Sequence, residues 1–371
     1  MSGGVDSSVS AYLLAKEHDI IGVSMQVWDY RQNGGYDFTD ARKVAAEVDV
    51  PYYVFDFENT FREKVIDKFI NTYLSGETPN PCVDCNNKVK FKELRERAEK
   101  LGCEYVATGH YAQIEESEKG FHLIRGEDID KDQSYFLYGL KQEELSKTLF
   151  PVGHLNKSEV RKIAEKINLT TANKPESQDI CFVSGNVKDF IEKHGEKMPA
   201  GNIINTKGDI IGKHDGIHSF TVGQRKGLGI GGTKEPLYVL EINSSDNSVI
   251  AGTKDELEKE FFYLEKINWL SPYILEKLKN NDEFSFEAMA QLRYRHDGIK
   301  VDVEVAKESV KISFQNDWTT VTPGQACVLY DLDNREVHGG GRISNFLSNR
   351  LNQDNSNFAK SNISSLNYIS N

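Results

Sequence analysis

Residues 20–28 read IIGVSMQVW and residues 51–57 read PYYVFDF, two apolar runs of strand length. Each is followed by a stretch whose apolar positions recur every three or four residues. The spacing predicts a helix over 39–50 that stops before Pro51, because a residue preceding proline is pushed out of the helical region. Thr60 and Glu63 form a capping-box pair for the next helix, whose Phe61, Val65, Phe69 and Tyr73 fall on one face. A further helix is expected over 90–101, closed by Gly102 as a left-handed cap, with CEYVATGHY following as a strand and its exit loop. Asn156 with Glu159 caps another, lined by Val160, Ile163, Ala164 and Ile167. Strands alternating with helices predict an α/β, doubly wound parallel sheet over residues 1–195. After Met198 and Pro199 the pattern shortens to strands such as SFTVG and LYVLEI between Gly, Asn, Asp and Ser clusters. A small β-rich central domain is therefore expected over 199–260. VDVEV and VKISF then alternate strictly and lead into TPGQACVLYDLDN, which predicts a C-terminal antiparallel β-barrel over 265–346. Residues 350–371, rich in Asn and Ser, are expected to be disordered.

The length of 371 residues fits two or three such units at about 150 residues each. Hydrophobic residues make up 38% of the chain and no apolar run approaches membrane-spanning length, so no membrane span is expected. No signal peptide precedes the first motif, and a cytoplasmic location is expected. Five cysteines, an odd number, argue against a disulfide framework and for thiol or metal chemistry. The net charge of −12 favours a small-molecule enzyme and repels a polyanion over most of the surface, so an RNA partner must meet a local basic patch.

Residues 1–8, MSGGVDSS, join two glycines, a carboxylate and paired hydroxyls ahead of an apolar helix pattern at Val9, Tyr12, Leu13 and Leu14. Gly3 and Gly4 allow positive φ and close backbone approach. Ser2, Ser7 and Ser8 offer hydroxyls, and the helix start favours negative charge, so the segment reads as a phosphate cradle rather than a disordered end. It lacks the lysine that reaches terminal phosphates in GxxxxGK[ST], which favours attack at the α-phosphate with pyrophosphate leaving. It resembles the PP-loop of the ATP pyrophosphatase superfamily, which adenylates substrates. Residues 78–91, TPNPCVDCNNKVKF, read as a loop stiffened by Pro79 and Pro81 that carries Cys82 and Cys85 ahead of a helix. Lys88, Lys90 and that helix start are expected to lower a thiol pKa. With Cys181 in KPESQDICFV, three readings stand open: a persulfide carrier with an attacking thiol, an iron–sulfur cluster, or half of a zinc site. Cys103 and Cys327 read as small buried hydrophobes. Arg293, Tyr294 and Arg295 on one β segment form a basic and aromatic patch suited to RNA. Arg225 and Lys226 in a Gly-rich loop suit backbone phosphate. GLGIGG at 227–232 lacks the strand–helix context of a dinucleotide fingerprint and reads as a loop.

SGGVDSS, NPCVDCN, ATGHYA, KDQSYFL, SQDICF, FTVGQRKGLG, LRYR and PGQACVLYD occur in an order that resembles the tRNA-specific 2-thiouridylase family over nearly the whole chain. The resemblance implies that ATP adenylates the C2 oxygen of the tRNA wobble uridine and that an enzyme persulfide replaces the activated oxygen with sulfur. It implies Cys181 as persulfide carrier and Cys85 as the second catalytic thiol, joined to it in a transient disulfide. It implies ATP contacts from Met1, Ser2, Gly3, Gly4, Val5, Asp6, Ser7, Ser8, Met25 and Gly109. Asn80, Pro81 and Cys82 would face the base, and His110, Lys131, Asp132, Gln133, Arg293, Tyr294 and Gln325 would contact tRNA. Mg²⁺ would accompany ATP, and a cysteine desulfurase or relay protein would supply sulfur; no resident metal ligands are assigned. Two departures stand out. Many members carry an aspartate at the position of Cys82, which leaves the acid–base role of that position open and adds a third thiol for an iron–sulfur cluster. The family also has a strand leading into the nucleotide loop, where this chain begins, so the expectation is an upstream start or a weakened phosphate site. Two rivals remain: a PP-loop ligase that adenylates a carboxylate or cytidine without thiols, and a non-catalytic RNA-binding protein.

Overall fold

The computed structural model describes residues 1–28, 37–175, 180–307, 309–315 and 319–345; the expected disordered tail lies outside the described residues. Helix α1 (Val5–Leu14) opens directly behind the glycine loop, with Gly4 as an extended N-cap. Strand β1 (Gly22–Gln26) pairs in parallel with β2 (Tyr52–Asp56), and α2 (Thr39–Glu47) makes the crossover between them. Met1 lies along β1, its amine donating to the Val23 carbonyl and its own carbonyl accepting from the Ser24 hydroxyl.

The next helix, α3, starts at Glu58 rather than behind Thr60 and runs as Glu58–Phe61, Arg62–Ile66 and Asp67–Leu74 without a break. Asp56 Oδ1 accepts the Glu58 amide at 2.9 Å, so Thr60 and Glu63 sit inside the helix and cap nothing. Phe61, Val65 and Phe69 are buried as their spacing requires.

Helix α4 is the largest departure from the sequence reading. It comprises Pro81–Cys85, Asn86–Glu93 and Leu94–Lys100, with the middle stretch wound as a π-helix. Pro81 occupies the first helical position, where its missing N–H costs nothing, so proline opens the helix instead of forbidding it. Gly102 closes it at φ +81°, as the pattern predicts.

Parallel strands β3 (Val106–Ala107) and β6 (Thr148–Leu149) flank a hairpin of β4 (Ala112–Ser117) and β5 (Gly120–Arg125). Helix α5 (Lys157–Lys166) carries the predicted capping box, with the Asn156 amide donating to Glu159 Oε2 at 2.8 Å. Helix α6 (Val187–His194) completes this region.

The central unit is a four-stranded sheet in the order β8 (Ile210–His214), β7 (Gly201–Ile204), β10 (Ser248–Gly252), β9 (Tyr238–Asn243). LYVLEI supplies β9, whereas SFTVG is a short helical turn and loop.

The C-terminal unit is a closed six-stranded barrel in the order β11, β14, β13, β12, β15, β16. In chain order these are Phe261–Trp269, Phe284–Gln291, Ile299–Ala306, Ser309–Phe314, Ala326–Tyr330 and Val337–Ile343. Strand β13 buries Val301, Val303 and Val305 and exposes the alternate positions, as period two requires. Strand β11 begins before the expected boundary. A shared core of Phe91, Leu123, Tyr135, Tyr138, Ala326 and Tyr330 joins the N-terminal region to the barrel. No helix among the described residues is long and apolar enough to cross a membrane.

Candidate active site

Glycine fixes the mouth of the nucleotide loop. Gly3 sits at φ +71°, with Asp40 Cβ only 3.2 Å from where its own Cβ would stand, so a side chain there meets both strain and a wall. The first-turn amides of α1 lack intrahelical acceptors and face outward as a site for anions. Ser7 and Ser8 donate to the Gly4 carbonyl at 3.1 and 2.8 Å, and Ser7 Oγ accepts the Ser2 amide at 3.1 Å, which holds the turn in shape.

Asp6 is clamped from two later segments. Lys157 Nζ reaches both carboxylate oxygens, at 2.7 and 2.8 Å, and the Tyr111 hydroxyl donates to one of them at 2.7 Å. Lys157 is buried, a placement that requires such a partner. The Gly109 loop closes the other side: a Cβ there would lie 2.7 Å from the Ser7 amide nitrogen. The sequence reading missed Lys157 and Tyr111. The capping box just before α5 was their one local signal, and only the fold aims Lys157 at the loop.

The thiols gather around α4. Cys85 packs in the cluster that holds Met25, Phe61, Phe69, Ile180 and Phe182, so both neighbours of Cys181 share a core with Cys85 and with the nucleotide-side Met25. The Phe182 ring lies 5.2 Å from Phe69 and 5.6 Å from Phe61. Cys181 itself is exposed, and the residues 176–179 before it lie outside the described residues. The expected fall in thiol pKa is reversed. Burial pushes Cys85 up to about 12 and also raises Cys82, and the Lys90 charge only partly offsets it. Cys327 is buried in the barrel as expected, but Cys103 is half-buried rather than enclosed.

Lys90 links the two halves. The π-helical stretch brings residues five apart toward one side, so Lys90 follows Cys85 around α4. Its Nζ lies 3.4 Å from His110 Nε2, next to Gly109, and its charge also reaches the amine of Met1. His110 is buried between Phe91 and Phe150, with Nδ1 2.7 Å from the Thr108 hydroxyl. Burial, reinforced by Lys90, holds its pKa well below the usual value and keeps the ring neutral.

Gln325 braces the approach to the thiol helix by donating to the Thr78 and Pro79 carbonyls at 3.0 and 3.1 Å. Arg342 pairs with the neighbouring Glu77 at 2.7 Å, and the Thr78 hydroxyl meets Thr221 of the central unit at 3.4 Å. Asn80 hydrogen-bonds toward the buried Tyr135.

Asp132 faces inward. Its carboxylate accepts Arg125 Nη1 at 2.7 Å, the Gly126 and Ser134 amides at 2.9 and 3.1 Å, and the Ser134 hydroxyl at 2.8 Å. Those bonds engage its carboxylate inside the fold, so Asp132 orders its loop. Arg125 in turn lies 3.8 Å over the Tyr330 ring and donates to Gln291 and Asn334 at 2.9 Å each, tying the hairpin to the barrel. Gln133 bonds Tyr111 in both directions, at 2.8 and 3.0 Å. Arg293, Tyr294 and Arg295 occupy the turn between β12 and β13, not a strand, because Arg295 adopts φ +64° and ends the ladder. Tyr294 stacks on Phe136 at 4.5 Å, and Lys131 lies close enough to act on its hydroxyl, so a basic and aromatic patch does form. Arg225 lines an open cleft of about 450 Å³ with the glycine loop 227–229 and residues 233–237.

Residues 1–185 match the family model described as the tRNA methyl transferase HUP domain. Residues 188–253 match the tRNA methyl transferase PRC-barrel domain, and 259–343 the aminomethyltransferase beta-barrel domain. A tRNA-specific 2-thiouridylase MnmA of Geotalea uraniireducens is 44% identical over 367 residues, covering 94% of this chain and 95% of that protein. The protein of the same name from Lachnoclostridium phytofermentans is 44% identical over 358 residues, covering 92% and 98%. That from Clostridioides difficile is 42% identical over 361 residues, covering 94% and 97%.

Proposed function

The chain belongs to the tRNA-specific 2-thiouridylase MnmA family, and from that premise we propose that it is an ATP-dependent tRNA-uridine 2-sulfurtransferase acting on the wobble uridine in the cytoplasm. The observation that carries this reading is Lys90, whose Nζ lies 3.4 Å from His110 Nε2, next to Gly109, and whose charge partly offsets the effect of burial on the Cys82 and Cys85 thiols. A nucleotide loop and a thiol pair sharing one cation suit a reaction that activates an atom and then replaces it with sulfur.

The uridine C2 oxygen attacks the α-phosphate of ATP held over residues 1–8, with Met25 and Gly109 beside it, and pyrophosphate leaves. Amides at the start of α1 meet the phosphate charge, and Lys157 and Tyr111 hold Asp6 so that the turn keeps its shape. The terminal sulfur of a persulfide on Cys181 then attacks C2, and AMP leaves in place of a far poorer oxide leaving group. Cys85 attacks the Cys181 sulfur, the carrier S–S bond breaks, and 2-thiouridine departs as the Cys85–Cys181 disulfide forms. Burial keeps Cys85 protonated until the substrate arrives, which protects it from idle exchange. Asn80, Pro81 and Cys82, at the start of α4, receive the base. His110, Lys131, Gln133, Arg293, Tyr294 and Gln325 position RNA or the loops it touches, with residues 199–260 and 265–346 as the holding units and 1–195 as the chemical one. A cysteine desulfurase or relay protein reaches the exposed Cys181 with sulfur.

Among the described residues no three His, Cys, Asp or Glu side chains are grouped to hold a metal ion, and Asp6 is engaged by Lys157 and Tyr111. No step above runs through a protein-held Mg²⁺ or an iron–sulfur cluster. Mg²⁺ is assigned to the nucleotide it accompanies.

The test is anaerobic thiolation of tRNA by Cys181→Ser. Loss of 2-thiouridine with continued tRNA-dependent pyrophosphate release is expected, and wild-type thiouridine yield would sink the reading.

A further inference from the structure

Cys82 is the thiol without a step of its own. Pro81 starts α4, so Cys82 and Cys85, its second and fifth residues, stand three apart and are neighbours on one side of the helix. A CxxC pair at a helix start is the arrangement dithiol oxidoreductases use. Ile180 and Phe182, on either side of Cys181, pack in the core that Cys85 also joins, and all three thiols are free. Cys82 and Cys181 both have surface exposure, while Cys85 is the more enclosed of the three.

We propose that Cys82 is a resolving thiol that returns Cys181 to service after each sulfur transfer. The proposal rests on the sulfurtransferase reading and begins where that reaction ends, with Cys85 joined to Cys181. Cys82 gives its proton to solvent and its sulfur attacks the sulfur of Cys85. The Cys85–Cys181 bond breaks, the electron pair leaves on Cys181, and that sulfur takes up a proton. One disulfide is exchanged for another with no net oxidation. The Cys82–Cys85 disulfide is later opened by a dithiol reductant in solution, which supplies two electrons and two protons. The gain is kinetic: the exposed sulfur acceptor is released at once, and the oxidised pair is left on a turn whose Cys82 a reductant can reach.

The experiment is a single turnover without reductant, using full-length protein carrying a Cys181 persulfide, ATP and tRNA. It is quenched in acid and followed by alkylation and non-reducing peptide mapping, with iron measured on the same sample. Wild type is expected to show one Cys82–Cys85 disulfide per thiouridine and an alkylated Cys181. In Cys82→Ser, and in Cys82→Asp should the serine variant fold poorly, the Cys85–Cys181 disulfide per thiouridine rises about tenfold or more. Thiouridine accompanied only by Cys85–Cys181 in wild type overturns the proposal, as does bound iron with no disulfide at all. Thiouridine formed equally by Cys181→Ser overturns the sulfurtransferase reading beneath it, a result separable from failure at Cys82 alone.

Discussion

The two ends of the proposed catalytic site are built from opposite materials. At the nucleotide end, Asp6 is fixed by an ion pair and a tyrosine hydroxyl, and the glycine at 109 presses on the Ser7 backbone. At the sulfur end, Cys85 is held by aromatic and aliphatic packing, and Cys181 stands on an exposed stretch anchored by Phe182. A phosphate arrives charged and needs donors already in place, whereas a thiol must stay neutral until its partner comes and must then move. Polar pinning suits the first task and apolar burial the second.

Cys181→Ser should produce the largest effect, with 2-thiouridine by nucleoside analysis falling to background; pyrophosphate release lost in step with it would show that the two ends are not separable. Asp132→Asn weakens the pair with Arg125, and by breaking a buried ion pair it should lower unfolding free energy by about 3–5 kcal/mol in denaturant titration. A loss of tRNA affinity with unchanged stability would contradict its inward role. Gly109→Ala should raise the KM for ATP about tenfold through the clash with Ser7 and leave persulfide loading of Cys181 intact. The sulfur end should instead answer to pH. With Cys85 at about 12, single-turnover sulfur release should climb roughly tenfold per unit between about pH 7 and 9. The same burial stabilises the folded protein below the ordinary thiol pKa of about 8.5, and that contribution is lost as pH rises toward 12. The alkaline loss should therefore be shallower in Cys85→Ala. Arg293→Ala, at an exposed turn, should weaken tRNA binding several-fold and reduce its salt slope by about 1.

The barrel was readable because its strands bury every second residue, as in Val301, Val303 and Val305. The helices following β1 and β2 were readable for a similar reason, although Asp56, not Thr60, turned out to start α3. Cys82 and Cys85 were found by spacing. Their helix was not, since Pro81 looks like a breaker unless one knows that it stands first. The thiol shift was misjudged because nearby lysines are visible in sequence while the burial contributed by Phe61, Phe69 and Phe182 is not. Lys157 and Tyr111 were missed for the same reason as the Arg125 pairing of Asp132: each finds its partner through tertiary contact.

Arg125 joins Asp132, in the loop that follows the hairpin, to Gln291, Tyr330 and Asn334 of the barrel. The C-terminal unit is therefore not an interchangeable cassette. A chimera that grafts in a foreign barrel would have to import those three side chains together, or it would strand a guanidinium in an oily seam and loosen the loop that carries Gln133 and, through Tyr111, the grip on Asp6.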